Sequence, residues 1–432
     1  MFKTYVDLFK NADIRKKSLF TFACLFVFRL GAHILVPNVN EYLLAGGLTT
    51  TNSIVEMMNL LGGGALQSFS IFALGVGPYI TASIVFQLLA MDVIPYFTSL
   101  QKEGEQGRKT LDRYTRYLAV VLGFVQAISM LIATNTSNPG IVIDSSWTGY
   151  FQAALVMVAG SMFLLWIGDQ ITKKGIGNGT SLIIFAGIVS SLPSQVVTVF
   201  NILLGEGVTV IGVFNFILYL LIYVFIVVLV IFMTNAERRI PIQYTSSSLV
   251  QKKSDKNYLP LKINSASVIP VIFSSAIMTA PITILSFLNY DWSRSAYNFL
   301  NSIFSLQTIP GLIIYSILII LFTFFYTNLT VDPKKISENL QKNGTYVVSI
   351  RPGEATRTYI SSVLNRITVL GAAFLLFIAL LPHIIPMVTD VPQQVALGGT
   401  GIIIVVGVAL ETMKGLTSQL TQRRYTGFKR GE

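Results

Sequence analysis

Residues 210–233 read VIGVFNFILYLLIYVFIVVLVIFM, a run of 24 residues without a charged side chain. A helix of that length measures about 36 Å, and the hydrocarbon core of a bilayer is about 30 Å thick. We therefore predict that this run is a transmembrane helix.

Similar runs recur along the whole chain. Over 432 residues, 53% are hydrophobic, only 12% are charged, and the mean hydropathy is +0.65. Soluble domains carry about 25% charged residues, so lipid must solvate much of this chain. The prediction is an all-α integral membrane protein with ten transmembrane helices. The predicted spans are 18–36, 69–91, 117–134, 151–168, 181–199, 210–233, 265–288, 311–329, 367–388 and 395–413.

The basic residues predict the orientation. Of 31 Lys and Arg residues, 28 lie at the termini or in alternate connections, above all in 235–264 and 330–366. Arg294 is the one basic residue of the other connections, and Arg29 and Arg366 lie within or at the edge of spans. The positive-inside rule then places both termini in the cytosol. It also accounts for the net charge of +11 without a nucleic-acid partner.

Ten spans divide into two sets of five, and a repeated half with an odd number of spans must be inverted. We therefore predict an N-terminal half at 1–205 and a C-terminal half at 206–432. The C-terminal half would carry cytosolic loops at about 235–264 and 330–366.

Three kinds of membrane protein remain open on composition: a coupled transporter, an intramembrane enzyme and a passive channel. Ion coupling usually requires ionisable residues in mid-span, and here there are almost none: Arg29 lies in the first span, Asp169 at the end of the fourth and Glu411 near the end of the tenth. No catalytic constellation appears, and two histidines cannot form a metal cluster. A passive channel that needs no cofactor, and is not an enzyme, is favoured over a ten-span secondary transporter.

The stretch 53–61, which is too short to cross a bilayer, is followed by three glycines at 62–64. It is either a re-entrant segment surrounded by protein or an ordinary outer loop. Span two has a polar edge that includes Thr81 and Ser83, and Gln126 gives span three another. Such polar faces either join neighbouring helices or form the seam of a gate.

Six blocks of this sequence, in order, resemble the bacterial SecY family, the large subunit of the Sec translocon. They are SIFALGVGPYITASIVFQLL at 70–89, KEGEQGRKTLDRYTRY at 102–117, GIGNGTSLIIFAGIVSSLP at 175–193, LPLKINSASVIPVIFSS at 259–275, FFYTNLTVDPKKISENLQKNGTYVVSIRPGEATRTYI at 324–360 and GGTGIIIVVGVALETM at 398–413. The resemblance extends from about Ile14 to Phe428.

The resemblance implies an hourglass channel of two five-helix halves that opens across the membrane and sideways between spans two and seven. The implied plug residues are Met57, Asn59, Leu60, Leu61, Gly62, Gly63, Gly64, Ala65, Leu66 and Gln67. The implied pore ring is Val76, Ile80, Thr180, Ile184, Ile272 and Ile404. The implied lateral-gate residues are Thr81, Ser83, Gln126 and Asn264. The implied docking residues for a motor or ribosome are Arg351, Arg238, Arg239, Lys252 and Lys253.

The resemblance also implies partners and a location. The partners are small SecE- and SecG-type membrane subunits, the motor ATPase SecA, the ribosome, signal peptides and nascent chains, a YidC-type insertase and anionic lipids. The location is the bacterial cytoplasmic membrane, with both termini in the cytosol. Basic loops would suit an acidic partner surface or ribosomal RNA, although topology alone also requires Lys and Arg there.

Two positions depart from the family pattern. Thr180 stands where the ring usually has an aliphatic residue, which predicts a slightly wetter constriction. Val348 and Ser349 replace a common Pro-Gly before Ile350 and Arg351. This replacement predicts a less sharply bent loop tip.

Overall fold

The structure is a computed structural model that describes residues 12–40, 69–90, 94–137, 139–204, 210–244, 258–266, 268–285, 299–300, 302–306, 308–388 and 399–427. Its longer helices are α1 (Ala12–Gly31), α2 (Gly77–Leu89), α3 (Pro95–Lys102), α4 (Glu105–Ser137), α5 (Trp147–Lys174), α6 (Gly179–Leu204), α7 (Val210–Asn235), α8 (Ile269–Leu285), α9 (Ile309–Thr330), α10 (Pro333–Lys342), α11 (Glu354–Val388) and α12 (Gly399–Gly427). Its strands are β1 (Glu237–Tyr244), β2 (Tyr258–Lys262) and β3 (Thr345–Val347).

The described part of the chain contains six helical stretches that are long and apolar enough to cross a membrane. They are Glu105–Ile132, Trp147–Lys174, Gly179–Leu204, Val210–Asn235, Ile309–Lys342 and Glu354–Ile384. Gly77–Leu89 and Ile269–Met278 are shorter apolar helices. The prediction of a mostly helical, multi-pass membrane protein is confirmed, while the count of ten spans stays a prediction.

The second predicted span, 69–91, is not one continuous helix. Residues 71–76 form successive turns, and α2 begins only at Gly77. Phe69 and Gly75 adopt positive φ angles of 40° and 55°, which a right-handed helix excludes. Pro78 lacks a backbone N–H and is therefore suited to the first turn of a helix. The hydropathy of this run indicated that it is buried, but it did not indicate that the helix begins only at Gly77.

The chain divides into two compact units. The first comprises 1–201, 279–301 and 408–432, and the second comprises 202–278 and 302–407. In the first unit, α4 packs against α2 and α5. A buried apolar cluster in this unit joins the segment 69–74 to α4 and α5. The predicted division into inverted halves at 205 stays a prediction.

In the second unit, the two basic loops predicted to be cytosolic fold together. Strand β1 is central in the order β2-β1-β3, and both pairings are antiparallel. Ile240 and Ile242 are two residues apart, so they lie on the same face of the sheet. Ile240 packs with Leu261, Val347, Ile360 and Leu364 in one buried cluster. The sheet is therefore fastened to the first turns of α11.

Candidate functional site

Two predicted ring residues, Val76 and Ile80, lie where the turn segment meets α2. Val76 is 1% exposed, and Ile80 is half-buried. The segment before them is held by Ser161 of α5, whose hydroxyl donates to the carbonyl oxygen of Gly75 at 2.7 Å. A Cβ atom at Gly160 would overlap the carbonyl oxygen of Ile71, so α5 approaches this segment at backbone distance. The position of Val76 is therefore set by close packing.

Two more predicted ring residues, Thr180 and Ile184, lie in the first two turns of α6. The side-chain oxygen of Asn178 accepts a hydrogen bond from the backbone N–H of Thr180 at 3.1 Å, which caps the helix. A Cβ atom at Gly179 would overlap the carbonyl oxygen of Gly168 in α5. The start of α6 is thus pinned against α5, with Thr180 half-buried and Ile184 buried.

The remaining ring residues belong to the second unit. Ile272 lies half-buried in α8, and Ile404 lies buried in α12. Next to Ile272, Phe273 packs its ring against Tyr326 of α9 with centroids 4.7 Å apart. Since the six ring residues are shared between two units, their assembly around one axis stays a prediction.

The predicted lateral-gate residues differ in their hydrogen bonding. The hydroxyl of Thr81 donates to the carbonyl oxygen of Gly77 at 3.1 Å, and Ser83 accepts from Gln87 Nε2 at 3.2 Å. Gln126 is half-buried in α4. Asn264 is only 8% exposed, and no donor in the described part of the chain reaches its buried Oδ1. An unsatisfied buried amide oxygen is costly, so Asn264 is the gate residue that needs an explanation.

The predicted docking residues that the structure describes lie on the folded loops of the second unit. In β1, Arg239 Nε donates to Glu237 Oε1 at 2.8 Å, and its guanidinium lies 4.7 Å from the centroid of the Tyr258 ring. The hydrogen bond to Glu237 raises the pKa of Arg239 above its ordinary value. Arg238 and Arg351 are exposed and form no ion pair with any residue described. Their charges are therefore available to a partner.

The loop tip before Arg351 is tightly bent. The backbone N–H of Ile350 donates to the carbonyl oxygen of Val347 at 3.1 Å, and Ser349 has a φ of 68°. A positive φ at the third position of such a turn normally selects glycine. The expected loss of bending is therefore wrong, because Ser349 adopts the left-handed conformation at an energetic cost instead of opening the turn.

Some predicted residues lie outside the described part of the chain. These are Lys252 and Lys253 of the docking set and the complete plug set from Met57 to Gln67. Their roles stay predictions. Among the residues described, no group of three His, Cys, Asp or Glu side chains could hold a metal ion.

Sequence reasoning missed one polar cluster in the first unit. Arg116 Nη2 in α4 donates to Asp112 Oδ2 and to Asp169 Oδ2 of α5, both at 2.8 Å. The hydroxyl of Tyr79 in α2 donates to Asp112 Oδ1 at 2.9 Å. The spacing of four residues between Asp112 and Arg116 was a detectable signal of a helical ion pair. The sequence singled out Asp169 as an ionisable residue near a span, but no local pattern joined Asp169 or Tyr79 to Asp112 and Arg116.

The comparisons with known proteins agree with this architecture. The family model described as SecY matches residues 70–413. The chain is 43% identical to the protein translocase subunit SecY of Staphylococcus carnosus and 44% identical to that of Staphylococcus epidermidis, with 99% of both chains covered in each case.

Solved structures share the fold at lower identity. A protein-conducting channel superposes with a TM-score of 0.61 at 18% identity, and a SecY protein studied for its plug domain superposes with a TM-score of 0.62 at 20% identity. In both cases 94% of this chain and 93% of the other chain are covered. With its fold and nearly its whole length matched in this way, the chain belongs to the SecY family.

Proposed function

We infer that the chain is a protein-conducting channel, which moves secretory proteins across a membrane and releases hydrophobic segments sideways into it. The observation that carries this inference is the 43% identity, over 99% of both chains, to the protein translocase subunit SecY of Staphylococcus carnosus. The likeness of the fold to a solved protein-conducting channel supports it. No motor motif occurs in the sequence, so the driving force comes from a partner.

The ring of Val76, Ile80, Thr180, Ile184, Ile272 and Ile404 would be the seal. Apolar side chains at a constriction exclude water and ions, yet they yield to an extended chain without binding it specifically. The close contacts of α5 with the segment before Val76 and with the start of α6 support this assignment. They hold the backbone next to Val76 and next to Thr180 close against α5.

The lateral gate would be the seam to which Thr81, Ser83, Gln126 and Asn264 contribute. The buried oxygen of Asn264, which no described donor reaches, supports this assignment, because an unsatisfied buried polar group in a folded protein calls for a structural or functional reason. Thr81 and Ser83 have hydrogen-bond partners within their own helix.

The exposed arginines on the folded loops would be the docking surface for SecA or the ribosome. A ribosome-bound Sec61 channel of canine endoplasmic reticulum superposes on this chain with a TM-score of 0.56, which supports the fold of such a channel. The sheet packed on α11 gives Arg238 and Arg351 a rigid support. The same proposal includes Lys252 and Lys253 as further docking residues. It also includes, as partners, SecE- and SecG-type subunits, a YidC-type insertase and anionic lipids.

The location would be the bacterial cytoplasmic membrane, with the termini and both basic loops in the cytosol. The distribution of the basic residues supports this orientation. The transporter alternative is not favoured. Two of the ionisable residues considered for ion coupling already have partners, since Asp169 pairs with Arg116 and Arg29 Nη1 donates to Ser190 Oγ at 3.2 Å.

The test is replacement of the resident channel subunit in bacterial cells. Cells depleted of their own SecY-type subunit should resume export of a signal-bearing reporter when they express this chain together with its cognate small subunits. The tagged chain, purified in mild detergent, should retain those subunits. Normal membrane insertion of the complex without any export of the reporter would contradict the proposed function.

A further inference from the structure

The polar cluster of Tyr79, Asp112, Arg116 and Asp169 links the three helices α2, α4 and α5. Arg116 of α4 holds Asp169 of α5 and Asp112 of its own helix, and Asp112 in turn holds Tyr79 of α2. Its three charged side chains are 25–41% exposed, so water reaches the cluster without surrounding it. Tyr79 and Asp169 are 90 residues apart in sequence, and only the packing of the helices joins them.

The rest of this three-helix interface is apolar and lined by small residues. Ala119 and Ala127 of α4 are completely buried, and a Cβ atom at Gly123 would lie 3.3 Å from Val158 of α5 and 3.8 Å from Pro78 of α2. Contacts between small apolar surfaces are close but not directional. They keep α2 against α4 without strongly favouring one axial position.

Hydrogen bonds to a charged group are directional and short, so they do favour one position. The hydrogen bond to Asp112 comes from the third residue of α2, Tyr79, and therefore fixes the first turn of α2 relative to α4. Asp112 is itself oriented by Arg116, and Arg116 is anchored on α5. The three helices are thus connected by one series of polar bonds.

Helix α2 is also the helix that carries Ile80 of the proposed ring and Thr81 and Ser83 of the proposed gate. We propose that Tyr79, Asp112, Arg116 and Asp169 are positioning residues that hold α2 in its resting register and thereby set how strong a signal sequence must be to open the channel. This inference rests on the proposed function. It adds a specificity determinant made of residues outside the proposed ring and gate sets.

The test is Tyr79→Phe, which removes one hydroxyl and keeps the half-buried ring. Export is measured with two reporters, one with a strong signal sequence and one with a weakened signal sequence, at matched amounts of folded complex. We expect export of the weakened-signal reporter to rise on the order of tenfold, the effect of losing one hydrogen bond to a charged group. Export of the strong-signal reporter should not change.

The matched control is Tyr117→Phe, the same chemical change at a tyrosine of α4 that is 63% exposed. It should alter neither reporter. Asp169→Asn is the second variant, because it weakens the ion pair that anchors Arg116 on α5 and changes no residue of α2. Like Tyr79→Phe, it should raise export of the weakened-signal reporter.

Two results would overturn the inference. One is unchanged export of the weakened-signal reporter in both Tyr79→Phe and Asp169→Asn. The other is an equal loss of export for both reporters at matched amounts of complex, which would assign the cluster a purely structural role. Failure of the proposed function looks different, because then the unmodified chain would support no export of either reporter.

Discussion

The carbonyl oxygen of Arg351 accepts a hydrogen bond from the hydroxyl of Thr356 at 2.8 Å, while the Arg351 guanidinium forms no ion pair with any described residue. The hydroxyl of Ser337 donates to the carbonyl oxygen of Gly353 at 2.7 Å, which ties the same turn to α10. The backbone of this loop is therefore fixed and its charge is free. Such an arrangement is suited to recognition by a partner.

The first prediction is that Arg351→Glu lowers the export rate about tenfold or more, since reversing a docking charge disfavours partner binding. Assembly of the channel should remain intact, because the side chain is exposed. The measurement is reporter export at matched membrane levels of the complex.

The matched control is Arg357→Glu in the same region, where Arg357 Nη1 already bonds Glu354 Oε1 at 2.8 Å. Its effect on export should be clearly smaller. If Arg351→Glu instead removes the protein from the membrane, Arg351 is a structural residue and the docking assignment is wrong.

The second prediction concerns the seal. Ile404→Asn should increase ion leakage through the resting channel, because a buried amide at the ring admits water. Thr180→Ile should reduce leakage, because it replaces a hydroxyl with an aliphatic side chain. Conductance of the purified complex in planar bilayers measures both effects.

The control for the seal is Ile317→Asn in α9, where the isoleucine is 57% exposed. The same substitution there should lower insertion or stability and leave the leak of the inserted channel unchanged, because an amide facing hydrocarbon is costly. Correctly folded Ile404→Asn and Thr180→Ile channels that both leak like the unmodified channel would exclude these residues from the seal.

The third prediction concerns the loop tip. Ser349→Gly should stabilise the second unit by about 0.5 kcal/mol, because relief of a left-handed serine outweighs the conformational entropy of glycine. Gly353→Ala should destabilise it by about 1–2 kcal/mol, since Gly353 has a φ of 99° although no atom lies within 4 Å of the added Cβ. Thermal unfolding of the detergent-solubilised complex measures both changes.

The control for the loop tip is Gly415→Ala in α12, where an added Cβ also meets no atom within 4 Å but the backbone is helical. That change should stabilise the helix, because alanine is the better helix former. Destabilisation by Gly415→Ala as large as that by Gly353→Ala would show that φ is not the cause.

The fourth prediction concerns topology. In a Cys24→Ser background, an impermeant thiol reagent added to intact cells should label Ile143→Cys, between α4 and α5, and should not label Glu338→Cys in α10. Both positions are exposed in the structure, so a difference in labelling reports the side of the membrane. Labelling of Glu338→Cys from outside would falsify the orientation, and labelling after the cells are broken is the control for reactivity.

Much of the fold could be predicted from the sequence because the signals are local. The run from Val210 to Met233 is apolar in every window, and α7 covers it. The positive-inside rule applies to each connection separately, so the basic residues of a loop predict its side of the membrane without knowledge of the fold. The Ile350–Arg351–Pro352–Gly353 block marked the loop proposed for docking, since its residues are contiguous.

The sequence by itself determined which segments prefer lipid, which loops carry charge and to which family the chain belongs. These properties depend on composition within a window of residues or on order along the chain. Only the tertiary structure decided that Arg116 meets Asp169, that Tyr79 meets Asp112 and that Ser349 takes a left-handed conformation. An ion pair between helices depends on which faces pack together, and an unfavourable φ persists only where surrounding contacts outweigh its cost.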